Sequence, residues 1–332
     1  MKKETEQLYR DHSAISFSDL KLLYDSPARF HALKYGTAEE LGLKRKESTG
    51  YKVGDIVDCL TLYPDDFDDH FIVKTEEMKE PSSPNMIKFL SLYDKDIPIA
   101  KAYEDSYSTR GLKKIDIENK GLALIKELMP YINFRDSIGD RRLVAEVDIN
   151  IAKICVQVLK ENPFAKGFFW GDRWSERFTQ KVIKGTVDDI LFKCMVDLIL
   201  VDDNSKTVWV IDLKTIGRSM SIIRKQVRMF HYDEQLVFYL MMILRWISAK
   251  RPELTDYTFR LVNTFVQTEP LYEVDIVEYS QEYISLATVK IDKLIERLTY
   301  HIETDKWDMS MERHKNRGIT LLTPNEEREW LV

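Results

Sequence analysis

Two charged residues stand two positions apart at the end of a β-branched run, Val208-Trp209-Val210-Ile211-Asp212-Leu213-Lys214-Thr215. On a strand this spacing points both side chains to one face, and charges at the end of a buried strand are costly unless used or paired. The preceding run, Phe192-Lys193-Cys194-Met195-Val196-Asp197-Leu198-Ile199-Leu200, carries one aspartate among apolar neighbours, and a hairpin through Asp202-Asp203-Asn204-Ser205-Lys206 brings Asp197 beside Asp212. Two carboxylates, the backbone carbonyl of Leu213 between them and Lys214 on the same face make an oxygen-rich site suited to magnesium or manganese. The chemistry such a set serves is phosphodiester hydrolysis. That reaction needs charge neutralisation on the phosphate and a water made nucleophilic near neutral pH, which bound divalent ions supply. Lys214 then orients or helps to deprotonate the water and stabilises developing negative charge. Farther on, Gln235 and Tyr239 stand four apart and share one helix face, two polar side chains on an apolar helix that serve as contacts to a phosphate or the attacking water.

Each piece alone has a blander reading. Asp-Leu-Lys recurs at Asp19-Leu20-Lys21 on what reads as a surface helix. Asp212 with Lys214 reads equally as a strand-end ion pair, Asp197 as a solvated aspartate near a turn, and Gln235 with Tyr239 as ordinary packing. The signal is the ordered series: Asp, then Asp-x-Lys after a turn, then Gln-x-x-x-Tyr on the next helix.

The elements that position this series follow from period and punctuation. From Ser175 onward the pattern turns to period two, predicting strands over about 175–184, 189–201 and 207–214 and a buried helix over 232–249. A further strand pair is expected at 258–265 and 271–276, and a closing helix at 281–304. Toward the amino terminus, Ser16 caps an amphipathic helix that Ser26-Pro27 interrupts, and a second helix begins near Pro27. A mostly apolar helix over 54–63 stops at Pro64, and Phe71-Ile72-Val73 reads as a strand. Residues 75–150 are polar and helical in pattern, with helices near 86–94 and 116–131 and no chemical motif, which marks them as a helical insertion within a single domain spanning 1–332. Another helix is expected at 146–160. There is no internal repeat.

The bulk properties set limits. With 332 residues, 44% hydrophobic and 31% charged, the chain is an ordinary globular one. No apolar run approaches the roughly 20 residues needed to span a bilayer, and Met1-Lys2-Lys3-Glu4-Thr5-Glu6 leads into polar sequence without a signal-like core, so a cytoplasmic protein, of the cell or of a phage host, is expected. Cys59, Cys155 and Cys194 have no metal or cluster spacing and read as buried, reduced thiols. A net charge of -6 argues against coating nucleic acid by electrostatics alone, yet a local basic groove beside an acidic metal site is compatible with it. Candidate patches are Lys44-Arg45-Lys46, Lys113-Lys114, Arg141-Arg142 and the run with Arg218, Arg224, Lys225 and Arg228, each of which singly also reads as solvated surface.

The series resembles the RecB-like branch of the PD-(D/E)xK nuclease superfamily, and more closely the exodeoxyribonuclease VIII (RecE-like) exonucleases of phages and prophages. The matching residues are Asp197, Asp212-Leu213-Lys214-Thr215 and Gln235-Leu236-Val237-Phe238-Tyr239, together with Ile15-Ser16-Phe17-Ser18-Asp19-Leu20-Lys21, Ser26-Pro27-Ala28 and the helix from Gly54 to Pro64. The resemblance covers about 15–73 and 175–245. It implies an α/β fold with a central mixed β-sheet flanked by helices, a divalent cation (Mg2+ or Mn2+), and DNA, in such relatives usually a duplex end resected for a single-strand annealing protein during recombination. It also implies that Asp58, where the family carries a metal-binding histidine, completes the metal shell with Asp197, Asp212 and Leu213. An aspartate suits a hard cation. Glu176 matches a family glutamate that assists the site. The resemblance leaves the oligomeric state open and implies no membrane partner. Two other readings stand beside it: an endonuclease of the same fold, and a catalytically weakened DNA-binding protein, toward which Asp58 and the acidic balance lean.

Overall fold

A computed structural model of the chain describes residues 9, 13–36, 41–43, 49–74, 81–139 and 141–320. Residues 67–149 form one compact unit, and the described residues before 67 and from 150 onward form another.

Ser16 starts the first helix through a reciprocal capping box. Its hydroxyl accepts the Asp19 amide at 3.3 Å while the Asp19 carboxylate accepts the Ser16 amide at 3.0 Å. Helices α1 (Phe17–Leu20), α2 (Leu22–Asp25) and α3 (Pro27–Tyr35) follow, and Ser26 caps α3 with Pro27 in its first turn, where a missing N–H costs nothing. Asp19-Leu20-Lys21 is not on an exposed face: Asp19 and Leu20 are buried and Lys21 is half-buried, since Asp19 also binds Lys34 at 3.2 Å. Helix α4 (Thr49–Leu62) begins earlier than its pattern predicts and ends just before Pro64.

The unit of residues 67–149 holds α5 (Phe67–His70), β1 (Phe71–Lys74), α6 (Pro84–Tyr93), α7 (Ile99–Ser106), α8 (Lys114–Ile138) and β2 (Arg142–Ala145). Strands β1 and β2 pair in parallel. Phe89, Leu90, Ala102, Ile125, Leu128 and Ile132 form its core. Helix α7 escapes the sequence reading, and α8 outruns its expected end at 131 by passing through Pro130. The ring removes one backbone hydrogen bond there, but Leu128 and Ile132 on either side stay anchored in the core.

Helices α9 (Glu146–Glu161) and α10 (Pro163–Phe169) precede the main sheet, which is built of β3 (Glu176–Val187), β4 (Ile190–Asp202), β5 (Thr207–Ile216), then, after α11 (Ile223–Phe230) and α12 (Tyr232–Lys250), β6 (Thr258–Gln267) and β7 (Val274–Glu278). Helices α13 (Gln281–Thr304) and α14 (Met311–Lys315) close the described chain. The order is β3-β4-β5-β6-β7, with β5 and β6 parallel and the other neighbours antiparallel. A parallel pair needs a crossover, and α11 with α12 provides it. The mixed α/β sheet flanked by helices is the architecture the sequence leads one to expect.

The β3–β4 hairpin turns through Asp188 and Asp189, both left-handed (φ 47° and 62°) as a tight hairpin requires. Strand β7 starts at Val274 rather than 271, because Leu271 and Tyr272 have φ of 114° and 46° and belong to the turn before it. Phe17 and Phe192 pack their rings on Phe238 of α12 at 6.0 and 5.8 Å, joining the first helix, the sheet and the crossover in one core. Cys59, Cys155 and Cys194 are all buried. Among the described residues, no helix is long and apolar enough to cross a membrane.

Candidate active site

The ladder between β4 and β5 runs from Asp202↔Thr207 to Leu198↔Ile211 and stops there. Asp197 and Asp212 would be the next pair in that register. Instead β4 diverges, and its amino-terminal half binds the segment before α1: the Ile15 amide donates to the Leu191 carbonyl and the Ile15 carbonyl accepts the Lys193 amide, both at 2.9 Å. At the resulting fork the Asp197 carboxylate replaces the missing ladder partner. Its Oδ2 accepts the Leu213 amide at 2.9 Å, and its Oδ1 accepts Nε2 of Gln180 at 3.1 Å. Gln180 lies opposite Asp197 on β3, between the pairs Thr179↔Leu198 and Lys181↔Val196, and has a left-handed φ of 49°. A non-glycine residue held there is strained, and such strain gathers at functional sites.

Asp212 is buried, and both its oxygens are engaged. Lys214 Nζ lies 2.8 Å from Oδ1 and 2.7 Å from Oδ2. Asn263, its register partner on β6, donates from Nδ2 to Oδ2 at 2.8 Å and accepts the Tyr279 hydroxyl at 2.6 Å. Asn263 is fully buried, so both ends of its amide need a partner.

Helix α4 reaches this fork because Gly54 lets it. A Cβ at Gly54 would lie 2.8 Å from Thr215 Oγ1, just beyond Lys214 on β5. One turn later on the same face is Asp58, close enough for Asp197, Lys214 and Asp212 to act on its charge. Burial, then repulsion from Asp197, pushes the Asp58 carboxyl well above the usual range. Burial, then Asp212, raises Asp197 to about 7. Burial raises Asp212 too, against the pull of Lys214. Lys214 itself is held above its ordinary value: burial disfavours its charge, but Asp212 and Asp197 more than offset that. The ammonium stays charged.

From the crossover, α12 turns Gln235 and Tyr239 toward the fork. Gln235 Nε2 donates to the Tyr239 hydroxyl at 2.6 Å. Burial, then Asp212 and Asp197, keeps that phenol neutral well above its normal range. Lys214 Nζ also sits 5.3 Å from the ring centre of Tyr232.

The structure thus brings Asp58, Asp197, Asp212, Lys214, Gln235 and Tyr239 together, but not Glu176. That residue opens β3 and is held by Arg251, whose Nη1 is 2.8 Å from Oε2 and whose Nη2 contacts Oε1. It stands four strand residues from Gln180, about 13 Å at strand rise, so Gln180 is the β3 residue at the site. Among the described residues, no three His, Cys, Asp or Glu side chains form a ready cation shell, since Lys214 and Asn263 cover Asp212 while Gln180 and the Leu213 amide cover Asp197. Gln180, Asn263 and Tyr279 are absent from the sequence reading. An amide in the apolar run Leu261-Val262-Asn263-Thr264-Phe265 is a signal that could have pointed to Asn263; nothing in the sequence singles out Gln180.

Arg218, Arg224, Lys225 and Arg228 are exposed around α11, an element the sequence reading lacks, and none is ion-paired among the described residues. Arg141 donates to the Ile138 carbonyl at 3.2 Å and Arg142 lies over Phe71. Lys113 and Lys114 start α8, both exposed. Lys44-Arg45-Lys46 lies outside the described residues.

A mixed five-stranded sheet carrying Asp197, Asp212 and Lys214 at a strand fork, with helices on it, defines a PDDEXK-like domain. The chain belongs to the DUF3799 family, described as a PDDEXK-like domain of unknown function, whose model matches residues 16–315. No curated protein matches it. Among solved structures, it is similar to a candidate exonuclease from Eubacterium rectale at 11% identity, over 98% of this chain and 95% of that one, with a TM-score of 0.48. It is also similar to protein VC1899 from Vibrio cholerae at 9% identity, over 68% of this chain and 49% of that one, with a TM-score of 0.17.

Proposed function

We propose that the chain is a divalent-metal-dependent deoxyribonuclease that hydrolyses DNA phosphodiester bonds, working as an exonuclease on duplex ends. The observation that carries this reading is the fork, where one buried carboxylate, Asp212, and two half-buried ones, Asp58 and Asp197, press on one another around one charged lysine. Asp58, Asp197 and Asp212, with the carbonyl of Leu213, are the donors that would hold Mg2+ or Mn2+. Their oxygen chemistry suits a hard cation, and the raised carboxyls mark negative charge that the protein alone leaves poorly compensated. Such an ion, when bound, neutralises phosphate charge and lowers the pKa of a water.

The side chains supply the rest. Water adds to phosphorus and gives up one proton to the surrounding solvent, the bond to the leaving oxygen breaks, and that oxygen takes up a proton from solvent. Lys214, kept as an ammonium, stabilises the charge that develops on the phosphate oxygens and works by charge rather than as a base. The Tyr239 hydroxyl accepts from Gln235 and so retains its own proton to donate toward the phosphate or the water. Arg218, Arg224, Lys225 and Arg228 hold the backbone by charge.

The test is digestion of end-labelled linear and closed circular DNA with magnesium or manganese, comparing wild type, Lys214→Ala and Asp212→Asn. The expected result is loss of linear DNA by wild type alone. Cutting of circles would make the protein an endonuclease. Inertness of wild type with both metals on every substrate would leave a DNA-binding protein.

A further inference from the structure

The junction between α11 and α12 builds a feature that the hydrolytic site does not use. Residues two apart on a continuous helix point to different faces, yet Phe230 and Tyr232 stack with centroids 5.6 Å apart and planes 26° apart. His231 between them makes this geometry: it takes the left-handed conformation (φ 58°, ψ 41°), folding the chain so that the two rings come together. A non-glycine residue in that conformation is strained. Here it is held by stacking on Tyr24 at 4.6 Å and by Glu234, 3.1 Å from Nδ1. The inner ring, Tyr232, leans on Phe265 at 5.9 Å and lies beside the Lys214 ammonium. The outer ring is open: Phe230 is 41% exposed and its neighbour Met229 52%.

What this apolar step faces is set by its surroundings. Residues 217–231 contain four cations, Arg218, Arg224, Lys225 and Arg228, and no carboxylate, in a chain of net charge -6. A polyanion with flat, apolar faces matches both properties, and aromatic rings inside a basic groove are how unpaired bases are held without regard to sequence. Paired bases inside a duplex do not offer those faces.

We propose that the exposed face of Phe230, backed by Tyr232, is a stacking subsite for an unpaired nucleobase of a DNA strand, next to the phosphodiester presented to Lys214. The strand entering the site is then single-stranded at that nucleotide. This rests on the reading of the fork as a DNA-hydrolysing site, but its test does not require cleavage.

Full-length wild type, Phe230→Ala and Phe230→Trp are titrated in EDTA with a fluorescein-labelled thymidine oligomer and with an abasic oligomer of equal length and charge, followed by anisotropy. Wild type should bind the thymidine oligomer more tightly than the abasic one. Phe230→Ala should bind thymidine about 5- to 100-fold more weakly than wild type, with abasic binding unchanged, and Phe230→Trp should restore the preference. Equal binding of both oligomers by wild type, thymidine binding unaffected by Phe230→Ala, or no binding by wild type would each overturn the subsite. A wild type that binds thymidine through Phe230 but cleaves no DNA would keep the subsite and remove the nuclease reading. A wild type that cleaves DNA without a Phe230 effect would do the reverse.

Discussion

Asp197 accepts the backbone amide of Leu213 at 2.9 Å, at the level where the ladder between β4 and β5 would otherwise continue. One carboxylate therefore stands in for a strand carbonyl and brings negative charge to the fork. Asp197→Asn separates the two roles, because its amide carbonyl still accepts the Leu213 N–H and its Nδ2 donates to Gln180 Oε1 once that amide turns over. At pH 5, where the Asp197 carboxyl is already protonated, its urea-unfolding stability should stay within about 1 kcal/mol of wild type, while DNA cleavage falls by more than the roughly 100-fold typical of residues outside a metal shell. Asp197→Ala should lose the same activity and also about 1–3 kcal/mol for the unsatisfied amide. An asparagine variant that cleaves within tenfold of wild type would remove Asp197 from the shell.

The closeness of α4 to β5 rests on Gly54, where a Cβ would meet Thr215 Oγ1 at 2.8 Å. Gly54→Ala should push the helix away and carry Asp58 with it. Overpacking of this kind costs about 1–3 kcal/mol, and cleavage should drop along with stability. Thr215→Ala removes the clashing oxygen, so the double variant should recover much of both losses. If the double variant is no better than Gly54→Ala, contact with Thr215 is not what sets the position of Asp58.

The strands and the residues on them were readable because their signals are local. Period two, the 202–206 turn and two charges ending an apolar run place Asp197, Asp212 and Lys214 without knowledge of the rest of the chain. The closing helix is found at the bounds its pattern predicts, Gln281–Thr304. What was hidden depends on distant contacts. Gln180 looks like a surface strand residue until β3 is laid beside β4, and Glu176 is the more conspicuous acid although its partner is Arg251. Lys21 reads as solvated, yet burial and then Lys214 lower its ammonium. Helix α11 went unseen because its strong division into basic and apolar faces spans only Ile223–Phe230, too short to stand out from a loop.

Asn263 ties Asp212 to Tyr279 inside the sheet. Asn263→Ala leaves a carboxylate oxygen and a hydroxyl without that partner in a dry core, which should cost roughly 2–4 kcal/mol. Tyr279→Phe removes one end only and should cost about 1 kcal/mol. Because Asn263 fixes the carboxylate that Lys214 also binds, the alanine variant should lose about 10- to 100-fold in cleavage. Urea unfolding and rate measurements on the two variants check this. Equal stability losses in both would mean that the bond to Asp212 contributes nothing.

The fork also sets how the protein should respond to pH and metal. Asp58, Asp197 and Asp212 are all raised in the folded state, first by burial and, for Asp58 and Asp197, next by a neighbouring carboxylate, with Asp197 brought to about 7. Between the unfolded value near 4 and that folded value, the native state holds protons that the unfolded chain has released. The stabilising contribution of Asp197 is therefore complete below about pH 4 and lost as pH rises through about 7, and those of Asp58 and Asp212, raised in the same direction, are likewise lost with rising pH. The raised value of Lys214 acts only at alkaline pH, and the lowered carboxyls of Asp19 and Glu234 have made their contribution by pH 5. Asp233, raised first by burial, adds to the fall, whereas His301, lowered first by burial, opposes it, so the share of the fork is read from the difference between wild type and Asp58→Asn. In EDTA, Tm should accordingly fall from pH 5 to pH 8. A one-unit difference corresponds to about 1.4 kcal/mol, which puts the loss at the order of a few kcal/mol. A divalent cation binds where protons have left, so magnesium or manganese should raise Tm at pH 8 and have little effect at pH 5. Asp58→Asn should flatten the fall in EDTA and weaken the metal shift together. A Tm that is level or rises from pH 5 to 8 in EDTA, unchanged by Asp58→Asn, would show that these carboxylates do not share their charge.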